Sequence, residues 1–584
     1  MRNLACTSAL AVAAWVAGFG TADAAPFVAY TRPTRERVDA PATTAVVAYF
    51  SDLIDSTTVT TASFHVYGRW SGPAAGTFAF SPNTVTFAPN EPFFAGERVT
   101  VVLSKAILND SGEPLASGYA WSFSIKTAGT TMDLTYIGRI TCRLEGDTLV
   151  GPYGAYAGDL DNDGWTDLLV PCETTGDARV FLNDGAGGYS SFTVESLPDS
   201  SAPSPSEGSD LNLDGEIDVV IGNGTNDQVT VLIGNGAGGF TGKTSYSAGE
   251  YVRGVGVLDL DGDGYDDIVT ANRVDDNLSI LMNNGDGTFA AAVAKETGGN
   301  GEYAIAVGDA NNDGLLDVFC GTFSSPYSVI VLLNDGEGNL VARPSVLVGG
   351  RPWQLTAGDF NGDGNVDVAS ANSWQDNMGV LFGDGAGGLS PVTTYPTGDF
   401  PHAIDAGDVD GDGDLDLVTS DAGSGTWTLY ENQLGEFVNR RTLGSFSSGS
   451  CAILHDRDND GDLDITGVDE QDDWIYFFDN EPPVTPVEPA PAPVARLFQN
   501  HPNPFNPATT IRFEVARAAD VDLSVFDSRG GLVATVVHRH HGPGTYAARW
   551  NGIDARGDAP PSGVYFYRLT AGGFSESKKM VLLK

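Results

Sequence analysis

A single nine-residue pattern, D-x-[DN]-x-D-G-x-x-D, occurs seven times in this chain of 584 residues. The copies begin at intervals of 48 to 51 residues, at Asp159, Asp210, Asp259, Asp309, Asp359, Asp408 and Asp456. A near-constant interval of this length is the sequence signature of a repeat architecture, in which each repeat is one supersecondary unit. The pattern therefore predicts seven similar units in tandem.

Each copy has the composition of a calcium loop. Calcium takes six to eight oxygen ligands, and side chains at alternate positions of a tight turn converge on one point. We predict side-chain ligands at positions 1, 3, 5 and 9 and a main-chain carbonyl ligand at position 7, with glycine at position 6 allowing the sharp turn. The predicted ligands are Asp159, Asp161, Asp163, Trp165 and Asp167; Asp210, Asn212, Asp214, Glu216 and Asp218; Asp259, Asp261, Asp263, Tyr265 and Asp267; Asp309, Asn311, Asp313, Leu315 and Asp317; Asp359, Asn361, Asp363, Asn365 and Asp367; Asp408, Asp410, Asp412, Asp414 and Asp416; and Asp456, Asp458, Asp460, Asp462 and Asp464.

A metal-free Asx-rich turn is the alternative for any single copy, but seven copies in phase favour about seven Ca²⁺ sites. An EF-hand would need a bidentate Glu at position 12, where the chain has Val170, Ile221, Thr270, Cys320, Ser370, Thr419 and Gly467. The run after each loop is short and β-rich, as in LDVFC, rather than a long amphipathic helix. The loops therefore connect strands.

Each repeat divides into four predicted strands. In the fourth repeat these are YAIAVGD, LLDVFCG, SVIVLLND and, after the turn GEGN, LVARPSVLV. Four strands in about 50 residues make one propeller blade. The last repeat supplies only three strands, and the segment LTYIGRITCRLEG ahead of the first loop is predicted to complete it and to close the ring, which removes an exposed sheet edge. The predicted fold is all-β: a seven-bladed β-propeller over 133–480, flanked by two Ig-like β-sandwich domains.

These repeats resemble the FG-GAP and VCBS repeats of integrin α-like proteins, which are calcium-binding β-propellers. The resemblance covers roughly residues 133 to 480 and is closer to the bacterial VCBS type, because the Phe-Gly and Gly-Ala-Pro signatures of integrin repeats do not recur. The resemblance implies the metal and the fold, and it implies no particular ligand.

The region ahead of the repeats has two predicted parts. Residues 1–24 combine one Arg, an apolar stretch and an Ala22-Asp23-Ala24 ending, which is typical of a cleaved secretory signal peptide. A membrane anchor is the alternative, but the stretch is shorter than the roughly 20 residues of a span. Residues 25–128 contain β-rich segments, and SPNTVTFAPNEPFFAGERVTVVLS resembles a bacterial Ig-like domain, a kind of module that is more often a spacer than a binding site.

The region after the repeats also has two predicted parts. Residues 481–495, EPPVTPVEPAPAPVA, are predicted to be an extended proline-rich linker. Residues 496–584 resemble the C-terminal sorting domain of type IX secretion substrates, itself similar to the FlgD-like Ig fold, through PNPFNP, WNGIDARG, SGVYFYRL and the basic KMVLLK end. That resemblance implies transport by an outer-membrane secretion machinery, often with tail removal and attachment to the cell surface.

The net charge of -46 argues against nucleic acid as a partner. Much of it is explained by the predicted ligands, since 25 of the 77 acidic residues stand at side-chain ligand positions 1, 3, 5 and 9 of these loops. After the signal peptide four cysteines remain, Cys142, Cys172, Cys320 and Cys451, and both disulfides and buried free thiols are open. We expect a secreted or cell-surface protein without a transmembrane span in the mature chain.

The ligand site is predicted at the face opposite the loops. Six residues before each first Asp stand Tyr153, Ser204, Arg253, Tyr303, Trp353, His402 and Ser450, and this common register places them around one rim of the central channel. We predict Arg253, Tyr303, Trp353 and His402 as a platform for a sugar or a peptide; packing between blades is the alternative. No HExxH or GxSxG motif is present, so we expect a binding or adhesion module and no enzyme. A hydrolase or lyase of extracellular polymers is the second candidate, and a structural surface-layer role is the third.

Overall fold

The chain is all-β, as its Val-, Ile- and aromatic-rich runs between Gly- and Asp-rich turns predict. A computed structural model describes residues 25–198, 201–444, 446–480, 495–572 and 574–584. The predicted signal peptide and nearly all of the predicted linker lie outside these residues. The only helix in the described residues is a 3-10 turn, Ser56–Thr58, and none of their helices is long and apolar enough to cross a membrane. Contacts divide the chain into two units, Met1–Pro483 and Val484–Lys584.

The first unit begins with two four-stranded antiparallel sheets around one core, here called the N-terminal sandwich (25–128). Its strands are β1 (Val28–Arg32), β2 (Val46–Phe50), β3 (Phe64–Gly68), β4 (Gly72–Pro73), β5 (Gly76–Ser81), β6 (Thr84–Pro89), β7 (Arg98–Leu103) and β8 (Tyr119–Ser124). The sheet orders are β1-β2-β6-β5 and β4-β3-β7-β8. Inward residues such as Val46, Ala48 and Phe50 alternate with partly exposed ones, as expected for a strand covered on one face.

Seven repeat sheets follow, in chain order. After β9 (Thr135–Thr141), sheet 1 has β10 (Tyr156–Gly158), β11 (Asp167–Cys172), β12 (Asp177–Asn183) and β13 (Tyr189–Ser196); sheet 2 has β14 (Pro203–Ser209), β15 (Asp218–Asn223), β16 (Gln228–Gly234) and β17 (Phe240–Ser247); sheet 3 has β18 (Val252–Leu258), β19 (Asp267–Asn272), β20 (Asn277–Leu281) and β21 (Val293–Lys295). Sheet 4 has β22 (Glu302–Gly308), β23 (Asp317–Thr322), β24 (Ser328–Asn334), β25 (Leu340–Ala342) and β26 (Val346–Leu347); sheet 5 has β27 (Pro352–Gly358), β28 (Asp367–Asn372), β29 (Asn377–Leu381) and β30 (Thr393–Pro396). Sheet 6 has β31 (Pro401–Gly407), β32 (Asp416–Asp421), β33 (Thr426–Gln433) and β34 (Glu436–Leu443), and sheet 7 has β35 (Cys451–His455), β36 (Asp464–Asp469) and β37 (Trp474–Asp479).

The predicted completion of the last repeat is confirmed. Strand β9 pairs antiparallel with β37, with Ile140 opposite Ile475, and gives sheet 7 its fourth strand. The first strands of successive sheets contact one another from β10 to β35, and β35 contacts β10 in turn. A segment from before the first repeat thus joins the last repeat, so the two ends of the array are held together.

Burial explains the composition of the repeat strands. Every residue of the second strand of each sheet is buried, which accounts for continuous apolar runs such as DLLVPC in place of strict alternation. Adjacent sheets share apolar clusters, as where Leu169 and Val180 pack with Val219 and Ile221. The four described cysteines are free and buried.

The second unit consists of a three-stranded and a four-stranded sheet that share one core. The first sheet has the order β38 (Ala495–Leu497), β39 (Thr509–Val515), β42 (Gly544–Trp550). The second has the order β41 (Leu532–His541), β40 (Ala519–Asp527), β43 (Gly563–Ala571), β44 (Phe574–Leu582). His538 and His540 lie on exposed β41 positions and pair with Asp522 and Asp520.

Candidate functional sites

The seven aspartate loops occupy one topological position. In every repeat sheet the first Asp directly follows the first strand, and the ninth residue, also Asp, begins the second strand. All seven loops therefore lie at the same end of the repeat sheets. The residues six positions earlier lie near the start of the first strands, at the opposite end. The chain thus presents an acidic end and a second end that carries the predicted rim.

Each loop turns at two positions in the left-handed region. The glycine at position 6 has φ between 83° and 99° in all seven copies, as at Gly264 with φ 94°. Position 4 also has positive φ in every copy, and it is Gly or Asn in all copies except the second, where Leu213 has φ 56°. Both residue types tolerate this backbone region. Gly or Asn at position 4 is a turn signal that the sequence contains, but the predicted loop turn relied only on the glycine at position 6.

The first and ninth aspartates hold the loop by accepting backbone hydrogen bonds. In the third loop Asp259 accepts from the amides of Asp263 (3.2 Å) and Gly264 (2.9 Å). Asp267 accepts from the amides of Leu260 (3.0 Å) and Asn283 (2.7 Å) and so connects its loop to the end of the third strand. The ninth residue therefore has a structural role in addition to its predicted role as a ligand.

Four loops bring three carboxylates together. One oxygen from each of three acidic residues lies within 4.8 Å of the others in the first, third, sixth and seventh loops, the four that have Asp at position 3. Several buried oxygens there have no hydrogen-bond partner, among them Asp161 Oδ1, Asp408 Oδ1 and Asp458 Oδ1. Hard oxygen donors that converge without partners fit a divalent cation. The groups are Asp159, Asp161 and Asp167; Asp259, Asp261 and Asp263; Asp408, Asp410 and Asp416; and Asp456, Asp458 and Asp460.

The other three loops have Asn at position 3. Asn212 Nδ2 donates to Asp214 Oδ2 over 3.0 Å, and Asn311 Nδ2 donates to Asp313 Oδ2 over 2.8 Å. In the second and fourth loops the amide at position 3 therefore donates to the carboxylate at position 5. In the four loops with Asp at position 3, carboxylates face one another instead. The demand for a cation is therefore lower in the second and fourth loops than in the four acidic loops.

Burial and charge repulsion shift the titration of the loop carboxyls. Burial, with the neighbouring Asp263 carboxylate, raises the pKa of Asp259 to about 7. Burial raises the pKa of Asp167 and of Asp267 to about 8. An ionised carboxylate is thus disfavoured in the loops when no cation is present, and a bound cation would reverse this preference.

The seventh loop contains a basic side chain of its own. Arg457 occupies position 2, which is apolar in the other six copies. Its buried guanidinium pairs with Asp479 (2.5 Å) and lies 3.6 Å from Asp464. Asp479, Asp458 and Asp464 also form a further three-carboxylate group. Asp479 was not predicted as a site residue, although Arg457 was a visible departure from the repeat pattern.

Asparagine side chains connect neighbouring sheets at the acidic end. Asn283, two residues after the third strand of sheet 3, donates to the carbonyl of Leu211 in the second loop over 2.8 Å. Equivalent bonds run from Asn432 to Phe360 (2.8 Å) and from Asn480 to Val409 (2.9 Å). Asn183 in sheet 1 donates to Arg457 in the seventh loop over 3.0 Å and so bridges the two ends of the array. The geometry of one loop is therefore coupled to the adjacent sheet.

The N-terminal sandwich packs on the acidic end. Lys105 donates from its amide to Gly262 O (2.8 Å) and from Nζ to Asp261 O (2.7 Å) and Gly336 O (2.7 Å). Further backbone bonds join Ala120 to Gly314 (2.6 Å) and Ala128 to Gly461 (2.6 Å). Such modules were described from the sequence as more often spacers than binding sites, and this contact, in which the sandwich docks on the loops, was not predicted.

A cavity of about 260 Å³ lies between the sandwich and the first strands. Arg69 from the sandwich projects into it and pairs with Asp405 at 3.0 Å. Glu207 and Gln354 also line it, and burial raises the pKa of Glu207 to about 7. These two residues line a second cavity as well, of about 100 Å³, that lies toward the opposite end.

The seven residues of the predicted rim register all line this second cavity, here called the mouth cavity. Its lining includes Tyr153, Ser204, Arg253, Tyr303, Trp353, His402 and Ser450. The common register therefore does bring the residues of all seven repeats together. Whether a ligand binds there stays a prediction.

The aromatic side chains of the mouth cavity stack on one another. Trp353 stacks on His402 with 4.4 Å between ring centroids and donates to Tyr153 Oη over 2.5 Å. Tyr303 is only 2% exposed and lies 5.3 Å from Trp353. Packing across sheets, the alternative considered for these residues, is thus present at Trp353 and Tyr303.

Two polar side chains of the mouth cavity keep unused hydrogen-bonding atoms. His402 is 6% exposed, and neither ring nitrogen has a partner. Burial, with the nearby Arg253, lowers the pKa of His402 to about 3, so its ring is neutral at physiological pH. Arg253 pairs with Glu173 (2.5 Å), and its buried Nε also has no partner. Buried polar atoms normally have partners, so these atoms are exceptions within the mouth cavity.

Comparisons with known proteins agree with part of this organisation. The FG-GAP-like repeat family matches residues 210–270, 259–320, 309–370 and 359–419, and the bacterial Ig-like domain family matches residues 22–125. No curated protein matches the chain. A functionally unknown protein from Desulfotomaculum acetoxidans DSM 771 is 13% identical, with 64% of this chain and 96% of that chain covered and a TM-score of 0.36. A protein from Lactobacillus plantarum is 12% identical, with 67% and 98% covered and a TM-score of 0.40.

The family matches fall on the segments that the loop pattern and the β-rich N-terminal stretch single out. Five successive loops, from Asp210 to Asp408, begin inside matched repeats, and the N-terminal sandwich coincides with the Ig-like match. The chain therefore contains FG-GAP-like repeats and a bacterial Ig-like domain.

Proposed function

We propose that the seven repeat sheets are the blades of a calcium-stabilised β-propeller, and that the protein is a secreted or cell-surface module that binds an extracellular glycan or protein. Three observations support the propeller. Six of the seven sheets contain four strands in sequence order, with β26 as an extra strand in sheet 4; the first strands contact one another in succession; and β9 supplies the fourth strand of the last sheet.

Calcium is the cation that best suits the acidic loops, because all the donors are oxygens and calcium accepts six to eight oxygen ligands in a flexible geometry. The side chains at positions 1, 3, 5 and 9 would hold it, together with the carbonyl at position 7. When bound, calcium supplies the positive charge that the clustered carboxylates need. The chain's own contribution is to prearrange the ligands through the amide bonds to the first and ninth aspartates.

The mouth cavity carries the proposal of binding. It is the place where residues from all seven repeats converge, and two of the residues that line it, His402 and Arg253, have unpartnered polar atoms. Arg253, Tyr303, Trp353 and His402 would bind the ligand, with ring faces for a sugar or side chain and with polar atoms for orientation. The stacking among these rings holds the site rigid before a ligand arrives, which lowers the entropic cost of binding.

The test is an array of glycans and extracellular proteins probed with calcium-loaded protein. A ligand found on the array should bind His402→Ala more weakly by about fivefold or more, since a buried polar contact contributes about 1–3 kcal/mol. The matched control is His538→Ala, because His538 is exposed on the second unit. Thermal melting must show that both variants are folded. Equal binding by His402→Ala, or no ligand on the array, contradicts the proposal.

Catalysis at the same place is the second candidate. Glu173 and Glu470 both lie close enough to Arg253 to interact with its charge, and burial, with the nearby Glu173, raises the pKa of Glu470 to about 7. A carboxyl group with such a pKa suits a general acid of a hydrolase or lyase acting on extracellular polymers. Release of reducing ends from any bound polysaccharide, lost in Glu470→Gln, would support this candidate; intact ligand after prolonged incubation favours pure binding.

Export is the remaining part of the proposal. Residues 1–24 would direct the chain out of the cytoplasm, and residues 496–584 would be recognised by an outer-membrane type IX secretion machinery. The separate core of the second unit supports an independent tail module. Deletion of 496–584 should leave the first unit folded but retained inside the outer membrane of a host with that machinery. Equal surface display without the tail contradicts this assignment.

A further inference from the structure

Arginine and aromatic side chains alternate in one continuous stack that starts at the mouth cavity. The guanidinium of Arg253 lies 5.5 Å from the Tyr153 ring and 4.9 Å from the Tyr251 ring. Arg273 lies 5.4 Å from Tyr251 and 4.1 Å from Phe323. Arg351 lies 4.4 Å from Phe323 and 3.8 Å from Trp374. We call these three arginines with Tyr251, Phe323 and Trp374 the arginine ladder.

The ladder lies across three consecutive repeats. Tyr251 and Arg253 are at the start of β18, and Arg273 follows the end of β19, all in sheet 3. Phe323 follows β23 in sheet 4, and Arg351 and Trp374 flank β27 and β28 in sheet 5. Every one of these positions is at the end of its sheet opposite the acidic loops. The ladder therefore forms a track that starts at the mouth cavity and crosses three neighbouring sheets at this end.

The positive charge of this track is poorly compensated. Arg253 is paired with Glu173. Within the described part of the chain, Arg273 and Arg351 have no carboxylate within 4.0 Å, and Arg351 Nη2 donates only to Tyr327 Oη at 3.3 Å. This is unusual in a chain with 77 acidic and 31 basic residues, because acidic partners are abundant. Two half-buried guanidinium groups are thus kept together by ring contacts and not by counter-ions.

The ring contacts leave guanidinium N–H groups without acceptors. The guanidinium groups of Arg273 and Arg351 lie 3.8 to 5.4 Å from ring centroids, within the range of cation–π attraction, and Arg351 Nε has no hydrogen-bond partner. The planar N–H donors of arginine match carboxylates or sulfates. Trp374 is 59% exposed and offers a ring surface at the far end of the ladder. Planar donors for anions beside aromatic surfaces for sugar rings suit a chain of acidic sugars.

We propose that the arginine ladder binds an acidic polysaccharide, a chain of sugars that carry carboxylate or sulfate groups, with its end directed to the mouth cavity. This inference rests on the proposed binding function and specifies the class of its ligand. The repeated spacing of cations along the track explains why an extended polymer fits better than a single small anion. The ladder is a local cationic surface on a strongly acidic protein. An acidic polysaccharide would be repelled by the rest of the protein surface, so charge complementarity directs it to the ladder.

The experiment measures binding of the full mature chain, in 1 mM Ca²⁺, to immobilised hyaluronan, chondroitin sulfate, neutral dextran and poly-L-glutamate. We expect binding to hyaluronan, to chondroitin sulfate or to both, no binding to dextran or poly-L-glutamate, and weaker binding as NaCl is raised. A preference between the two acidic glycans distinguishes carboxylate from sulfate recognition.

The variants are Arg273→Gln, Arg351→Gln and Trp374→Ala, with Arg343→Gln as the matched control because Arg343 is an exposed arginine of sheet 4 outside the ladder. Each ladder variant should raise Kd about tenfold or more, as expected for loss of a charge-assisted hydrogen bond or a stacking contact. Arg343→Gln should change Kd less than threefold. Unchanged melting temperatures would show that the ladder variants fold.

Three outcomes overturn the inference: no binding to either acidic glycan, binding to dextran as strong as to the acidic glycans, or binding to poly-L-glutamate that the ladder variants weaken to the same extent. If neither acidic glycan binds, the array decides the proposed function. A neutral glycan or a protein whose binding is lost in His402→Ala would then support the mouth cavity as a binding site without the ladder. Failure of the proposed function is instead shown when no array ligand depends on His402.

Discussion

The two kinds of aspartate in one loop should respond differently to the same substitution. In the third loop Asp267 accepts two backbone hydrogen bonds with its two carboxylate oxygens and is 2% exposed. Asp263 is exposed and accepts one, from Tyr265 over 2.9 Å. The perturbation is Asp→Asn at either position, which keeps the shape of the side chain and removes its charge.

The structure sets the expected magnitudes. An amide has one acceptor oxygen, so Asp267→Asn loses one of its two buried hydrogen bonds and should cost about 1–3 kcal/mol with or without calcium. Asp263→Asn keeps its hydrogen bond through Oδ1. Its cost should appear only with calcium: a tenfold weaker site, with Kd rising from about 0.1 mM at 1 mM Ca²⁺, loses about 1 kcal/mol of stabilisation.

The assay is calorimetric melting of both variants and the wild type, in EDTA and in 1 mM Ca²⁺. Asp267→Asn should lower the melting temperature under both conditions, whereas Asp263→Asn should match or exceed the wild type in EDTA and fall below it in calcium. An equal loss for Asp263→Asn under both conditions would refute its role as a metal ligand. A loss for Asp267→Asn in calcium alone would refute the structural role of its hydrogen bonds.

Three further predictions follow from other contacts. The pKa values of Asp167 and Asp267 are raised to about 8 from an unfolded value near 3.9, so without metal the folded state binds more protons than the unfolded state. The free energy of unfolding in EDTA should therefore decline from pH 4 to pH 8, and saturating calcium should abolish or reverse that decline. A melting temperature in EDTA that rises over this range would contradict the raised pKa values of the buried loop carboxyls. Lys105→Met removes two hydrogen bonds of 2.7 Å from Nζ to the acidic end and should lower the free energy of unfolding by roughly 1–3 kcal/mol. Proteolysis of the N-terminal sandwich should be faster than in the control variant Lys126→Met, which changes an exposed lysine. Equal proteolysis rates would argue against the docking contact. Because Cys142, Cys172, Cys320 and Cys451 are free and buried, native protein should react slowly with thiol reagents and melt at the same temperature with and without dithiothreitol, and a lower melting temperature after reduction would indicate a disulfide.

Local patterns predicted the strand order and the loop positions well. The loop pattern locates the start of each second strand because Asp167 and its six counterparts combine a turn signal with an apolar run. The pairing of β9 with β37 was predictable as well, since the last repeat lacks one strand and a spare strand precedes the first loop. These features depend on chain-local composition and on the need to avoid an open sheet edge.

Contacts between distant residues could not be predicted in the same way. The bond from Asn183 to Arg457 joins residues 274 positions apart, and the group of Asp458, Asp464 and Asp479 combines two strands with a loop. The rim register was found from spacing alone, but the burial of Tyr303 and His402 depends on how closely the sheets approach. The docking of the N-terminal sandwich on the loops depends on a surface match that no single motif describes.

Calcium stoichiometry tests the account most directly. Equilibrium dialysis of the purified mature chain against radioactive Ca²⁺ should show saturable binding of about seven ions per chain, with Kd values of about 0.1 to 1 mM. The four loops with Asp at position 3 should bind calcium first, because their carboxylates converge without amide donors between them. Absence of saturable binding, or saturation at one or two ions, would contradict a propeller whose seven loops hold calcium.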